Sequence, residues 1–492
     1  MPRNHRTAMA ASTAAVILLV ALPGVLVAQG SRNARMLKNA FGTKHTDDNY
    51  RQRLAAVSKL RGTADPFEAR ALVDAYRKLD AEAVVLRKEQ GEVLDTRTSL
   101  EVARFRKDID PIDTLQDELY ATIRGVDPSL ADVMLEELVT ESRTPNGILS
   151  LQLLLAEKSA GFKDIDLLRT QITRPLDSGS RIAFFRVVAT LGPRGNMFSS
   201  FLERELEAES ASVRLEAART LGAISARRSV PKLIDRLANE RGRVKETIAI
   251  ALANLTGQNH GLSAEAWKLW LKSLDSPDAI EPPSGTVPPP PKLPEMGEYF
   301  GIAQDGASIL YVFDRSDSME RGLRSGGIRE QRARRELADA IVKLDETTRF
   351  NIVAFSIKVR SWAKGFKPAT KENIADARRW VFELDMQAGT STYDALQRSF
   401  RLSNSRTIDR FDELDVETIF FLSDGEPTRR TGGTLQPLAR DDPQRILSAV
   451  RRWNALGRVK IHTVGLALET KAAPILMRGL AEQSGGTFVA IR

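Results

Sequence analysis

A proline run cuts this chain in two. Seven of the thirteen residues from Pro282 to Pro294 are proline, including the uninterrupted stretch Pro288 to Pro291. Proline fixes φ and carries no amide hydrogen, so such a segment is extended and stiff and cannot thread a helix or a sheet interior. Residues 276–299 are therefore expected to be a linker that holds two units apart. A length of 492 residues agrees, because a single core seldom serves so long a chain.

The two sides differ in periodicity. From Asp47 to Leu274 apolar residues recur at helical spacing, and no alternating strand stands out. Residues 31–180 read as helical without a repeat that can be registered, whereas residues 181–275 repeat. The stretch Ala183 to Gly192 lines up with Val213 to Gly222, and again with Val244 to Ala253, at offsets of 30 and 31 residues. A second amphipathic segment, Val230 to Leu237, follows the middle copy. Helix pairs at such a period stack into a continuous core. The run resembles HEAT-type repeats, which implies a concave surface able to hold a second protein. Farther on, Ser263 is placed to cap a helix whose Trp267, Trp270, Leu271 and Leu274 share one face. That helix is expected to close the stack rather than lie on a membrane.

Arg3, His5 and Arg6 precede a stretch from Thr7 to Gln29 without a single charge. Pro23-Gly24 and the small residues Ala28 and Gly30 then follow. A basic start, an apolar core, a helix breaker and small residues describe a secretory signal over residues 1–30. An uncleaved anchor through residues 7–29 is the alternative, and a buried helix of the fold a third. The first two readings place the remainder outside the cytoplasm: exported, and periplasmic, secreted or membrane-anchored.

Composition narrows the chemistry. The chain has no cysteine, which excludes disulfides, thiol nucleophiles and thiolate metal sites. Its four histidines (His5, His45, His260 and His462) are scattered, so a structural zinc site is not expected. A net charge of +8 is mild for this length and does not point to nucleic acid, which needs the charge clustered.

Beyond Phe300 short, nearly continuous apolar runs appear: Ile309–Phe313, Phe350–Phe355, Thr418–Leu422, Val459–Val464 and Thr487–Ile491. Amphipathic helical stretches such as Arg332–Leu344, Glu372–Leu384 and Gln444–Trp453 lie between them. Buried strands alternating with helices predict a doubly wound, mostly parallel α/β sheet over residues 300–492. The chain is thus expected to be multidomain, an all-α helical-repeat region followed by an α/β unit. In such a sheet ligands bind beyond the carboxyl ends of the strands.

Three polar segments fall there. Asp314-Arg-Ser316-Asp-Ser318 follows the first strand and Ser423-Asp424-Gly425 follows the Thr418 strand, while Gly389-Thr390 sits in a turn entering a helix. Two carboxylates and three hydroxyls on loop tips form an all-oxygen donor set, suited to a hard cation. Together the segments resemble the metal-ion-dependent adhesion site of von Willebrand factor type A domains: Asp-x-Ser-x-Ser, then Gly-Thr, then Ser/Thr-Asp-Gly. The resemblance implies Ser316, Ser318 and Thr390 as direct ligands of Mg²⁺ (Mn²⁺ or Ca²⁺ as substitutes), with Asp314 and Asp424 nearer or farther through water. It also implies a protein partner whose acidic residue completes the metal shell, and no catalysis. Two departures, Asp317 and Ala388 where the family often has glycine, bear on loop geometry.

Asp394 reads as a helix-start residue, and the six arginines between Arg321 and Arg335 as a solvated helix face rather than a basic rim. His462, inside a strand, reads as structural. No P-loop motif occurs. The function expected is that of an extracytoplasmic binding or scaffold protein. The alternatives are a metal-dependent hydrolase using the same cation, or a structural envelope protein with an unused site.

Overall fold

The computed structural model describes residues 31–43, 46–93, 99–140, 146–276, 280–281, 297–402, 416–429 and 439–492. The expected signal or anchor of residues 1–30 and the proline run lie outside the described residues.

The first half is helical throughout its described length. Its helices are α1 (Arg32–Ala40), α2 (Asp47–Ser58), α3 (Pro66–Val93), α4 (Ser99–Arg124), α5 (Ala131–Val139) and α6 (Asn146–Lys158). There follow α7 (Ile165–Gln171), α8 (Ser178–Ala189), α9 (Ser199–Glu205), α10 (Ala211–Ala223), α11 (Val230–Asn239), α12 (Gly242–Thr256) and α13 (Ala264–Lys272). The three aligned segments fall on α8, α10 and α12, and α10 packs between the other two. Their small residues permit close approach. A Cβ on Gly222 of α10 would sit 3.3 Å from the Ala251 Cα of α12. Ser263 caps α13 by accepting from the Ala266 amide at 3.2 Å. Trp267 is fully buried in the helical core, with Trp270, Leu271 and Leu274 packed against it, so α13 closes onto the stack. Among the described residues, no helix is long and apolar enough to cross a membrane.

The second half is a sheet with helices on both faces. After a short antiparallel ribbon, β1 (Glu298–Tyr299) with β2 (Ile302–Ala303), come β3 (Ser308–Asp314), β4 (Arg349–Phe355), β5 (Val359–Ser361) and β6 (Lys367–Pro368). The remaining strands are β7 (Thr418–Ser423), β8 (Thr428–Arg429), β9 (Ala439–Arg440), β10 (Lys460–Leu466) and β11 (Phe488–Ile491). The helices are α14 (Arg329–Val342), α15 (Lys371–Phe382), α16 (Thr392–Arg401), α17 (Pro443–Trp453) and α18 (Ala472–Ser484). The main sheet runs β11-β10-β7-β3-β4, all parallel, with β5 and β6 antiparallel along the outer edge of β4. Every residue of β3 is buried because alternate side chains serve two cores. Leu310 and Val312 pack toward α16, α17 and α18, while Ile309, Tyr311 and Phe313 pack toward α14 and α15.

The order places the topological switch between β3 and β7. From β3 the chain moves outward to β4, then crosses back to the other side of β3 as β7. The connections leaving the carboxyl ends of these two neighbours diverge and open a crevice between them.

The halves also touch, so the expectation of two units held apart is corrected. On the face of the sheet covered by α17, Asp110 and Asp117 of α4 pair with Arg445 and Arg452 of α17, and the Tyr393 hydroxyl of α16 reaches Asp113. At the amino ends of the strands, buried Glu417 accepts from the backbone amides of Arg243 at 3.0 Å and Ala307 at 2.8 Å. Asp305 there pairs with Arg243 at 3.1 Å and Lys460 at 2.9 Å. The physical reason is that complementary charges and apolar surface meet across the halves, whatever the segment that joins them. Ile280, inside the expected linker, is itself buried against the helical core.

Candidate functional site

Asp314 ends β3 and is completely buried. Its Oδ1 accepts from the Ser316 amide at 2.9 Å and its Oδ2 from the Ser423 hydroxyl at 2.5 Å, which ties the ends of β3 and β7 together. Past it the chain turns through a short 3₁₀ segment, Asp317–Glu320, that buries Met319 below and holds Ser316 and Ser318 above. The Ser316 and Ser318 hydroxyls are 3.0 Å apart. The Ser318 hydroxyl donates to Asp424 Oδ1 at 2.8 Å, with Ser316 Oγ 3.5 Å from the same oxygen.

The turn carrying Thr390 is laced to both neighbours through backbone. The Gln387 amide donates to the Arg315 carbonyl at 3.0 Å, Ile357 to Ala388 at 3.1 Å, and Ser391 to Ser356 at 2.9 Å. On its other side the Thr390 amide donates to the Thr428 hydroxyl and the Thr428 amide to the Thr390 carbonyl, each at 2.8 Å. Gly389 takes a φ of +88°, the left-handed conformation that favours glycine. The remaining position is informative in another way. A Cβ placed on Gly425 would lie 3.7 Å from Thr390 Oγ1 and 3.9 Å from Ser318 Oγ, so both hydroxyls border one small space.

Asp314, Ser316, Ser318, Thr390 and Asp424 are therefore brought together from three loops, and all but Ser318 are at most 5% exposed. Burial, followed by the charge of Asp424, pushes the Asp314 carboxyl up to about 7, against the hydrogen bonds from Ser423 and Ser316. Two carboxylates with three hydroxyls are an all-oxygen donor set of the kind that suits a hard cation.

The two departures from the family pattern do no harm to the loops. Neither Asp317 nor Ala388 adopts a positive φ, so neither position demands glycine, and Asp317 is exposed to solvent. Asp394 stands half-buried in the first turn of α16. His462 is structural: its Nδ1 accepts from the Thr487 amide at 3.0 Å and its ring stacks on Phe420.

The arginine run is the reading that needs correction. Arg332 and Arg335 do lie along a solvated face, but Arg334 is buried and donates to the Val381 and Leu384 carbonyls. Arg329 is buried in the site itself. Its Nη1 donates to Asp424 Oδ2 at 2.7 Å and its Nη2 to Glu469 Oε1 at 2.5 Å, and Arg321 reaches the other oxygen of Glu469 at 3.0 Å. Arg329 opens α14, a start the sequence reading put at Arg332, and a basic residue at the first position of a helix opposes the helix dipole and so calls for a carboxylate partner.

The family model for the von Willebrand factor type A domain matches residues 307–490. Human inter-alpha-trypsin inhibitor heavy chain H4 is 26% identical over 187 residues, which is 38% of this chain and 18% of that protein. Human von Willebrand factor A domain-containing protein 3A is 27% identical over 28% of this chain and 10% of its own length. The chain thus spans less than a fifth of the curated relatives it matches. Among solved structures, a von Willebrand factor type A protein from Catenulispora acidiphila aligns with 39% of this chain and 40% of its own, at 20% identity and a TM-score of 0.30. Residues 307–490 form a von Willebrand factor type A domain, carried behind a helical N-terminal region.

Proposed function

We propose that this chain is a binding or scaffold protein working outside the cytoplasm, and that it captures a protein partner through a divalent cation. Asp314, Ser316, Ser318, Thr390 and Asp424 hold Mg²⁺, with Mn²⁺ as its substitute. An acidic side chain of the partner fills the coordination position the protein leaves open. The observation that carries this reading is the convergence of three loops at the carboxyl ends of β3 and β7, where Ser318 donates to Asp424 at 2.8 Å and the Ser318 and Thr390 hydroxyls border one small space. The domain family supports a protein-binding role. The basic and apolar N-terminal segment supports export. The helical region, besides packing on the domain, offers surface for a second protein.

The test has two parts. Calorimetric titration with Mg²⁺ and Mn²⁺ should give one site per chain, lost in Asp424→Ala. A pull-down from an extract of the envelope fraction should recover a partner that EDTA and Asp314→Ala both release while the fold is retained. Recovery that survives the chelator and both substitutions would defeat the metal mechanism. Metal-dependent turnover in a hydrolase screen would replace it with an enzyme.

A further inference from the structure

Two carboxylates buried in one crevice are a poor resting state. Both are nearly or wholly shut off from water, so neither can spread its charge into solvent. Among the described residues, a cationic side chain pairs with one of them, Asp424. Arg329 projects from the start of α14 into the site with its side chain 5% exposed, and its Nη1 lies 2.7 Å from Asp424 Oδ2, whose side chain is wholly buried. The other oxygen, Oδ1, is the one that faces Ser316 and Ser318. Arg329 therefore stands one carboxylate away from the space bordered by the Ser318 and Thr390 hydroxyls. Its second arm is held at 2.5 Å by Glu469 in the segment between β10 and α18.

We infer that Arg329 is a resident counter-cation of the metal site: it holds Asp424 when no divalent ion is bound and weakens divalent binding by its charge when one is. The inference rests on the metal-site reading above and deepens it. A guanidinium keeps its charge under all ordinary conditions, so it cannot be titrated away as a metal approaches. It shares a carboxylate with a dication across a buried, weakly screened path, where like charges repel far more than in water. Arg329 accordingly trades affinity for a metal-free state that stays folded. Glu469 moderates it, since a carboxylate on its far arm cancels part of the charge that the metal meets.

The experiment is Mn²⁺ titration by calorimetry on the full chain, paired with thermal unfolding in EDTA and in saturating Mn²⁺. Arg329→Gln should bind Mn²⁺ about tenfold more tightly or better. It should melt earlier than the unaltered protein in EDTA and recover that loss in saturating Mn²⁺. Arg329→Lys, which keeps the charge, should stay within about threefold of the unaltered protein, and Arg321→Gln, which touches Glu469 but not Asp424, within about twofold. Weaker or unchanged binding by Arg329→Gln overturns the inference and leaves Arg329 as a positioning residue for Asp424. Should that variant fail to fold, Glu469→Gln serves in its place, because the residue is half exposed. It adds one net positive charge to the network and must weaken Mn²⁺ binding about threefold, and an unchanged constant sinks the proposal. The two levels of argument fail separately. If neither the unaltered protein nor Arg329→Gln takes up Mn²⁺ at millimolar concentration, the metal site itself is refuted. If the unaltered protein binds and the variant binds no better, only the role of Arg329 falls.

Discussion

The Tyr393 hydroxyl donates to Asp113 Oδ2 at 2.8 Å, joining residues 280 positions apart in the chain. Tyr393 stands in the first turn of α16, three residues beyond Thr390, and Arg445 lies over its ring at 4.0 Å. The helical half thus grips the helix that begins at the site. Tyr393→Phe keeps the ring and the arginine above it and removes one hydrogen bond to a carboxylate. Urea unfolding should report a loss of about 1.5–3 kcal/mol with unchanged circular dichroism. An unmoved midpoint would mean that the contact does not hold the halves together.

Asp314→Asn separates ligand chemistry from fold stability. Asparagine keeps an acceptor for the Ser316 amide but removes a charge that burial and Asp424 both oppose. Mn²⁺ binding should vanish, while the melting temperature in EDTA should equal or exceed that of the unaltered protein. A large drop in that temperature would show Asp314 to be a structural carboxylate instead.

Glu417 tests the opposite end of the sheet. Its two oxygens take the amides of Arg243 and Ala307, one from each half. Glu417→Ala leaves both amides, the Arg243 one buried, without that acceptor and should destabilise by about 2 kcal/mol in denaturant unfolding. Glu417→Gln, which preserves one acceptor, should cost less. Equal losses for the two would rule out the amide contacts as the cause.

His462 gives the chain a pH dependence remote from the candidate site. Burial lowers its pKa from 6.5 to about 4, with Asp305 working against the shift and Lys460 and Arg243 adding to it. The unfolded chain therefore binds more protons than the folded one between these values. Stability is intact above pH 6.5 and is lost as pH falls toward 4, by up to about 3 kcal/mol. His462→Gln, which retains an acceptor for the Thr487 amide, should flatten this slope in equilibrium unfolding at pH 7, 6, 5 and 4.

The strands were legible because burial on two faces leaves little freedom: Ile309–Phe313 and Thr418–Leu422 are apolar at every or nearly every position, and little else does that over so short a length. The convergence of Asp314, Ser316, Ser318, Thr390 and Asp424 was legible because each ends a strand, sits in the loop after one, or lies in a tight turn. Less visible were β5 and β6, whose pairing depends on what β4 offers at its edge; Pro368 there lies outside any strand propensity. The packing between the halves was hidden for a related reason. Asp110, Asp113 and Asp117 share one face of α4, but only the fold brings Arg445 and Arg452 of α17 opposite them. Arg329 was hidden among five other arginines, since a charge run gives no hint of which member turns inward.

The placement of the two ends of the sheet has a mechanical consequence. A partner held at Asp314 and Asp424 grips the carboxyl ends of β3 and β7, whereas Arg243 and its neighbours hold the protein at the amino ends of the same two strands through Glu417, Ala307 and Thr418. Tension between a bound partner and the helical half runs along β3 and β7 rather than across them. Both strands would then be pulled the same way, so that their backbones carry the load lengthwise and the hydrogen bonds between them are not asked to open.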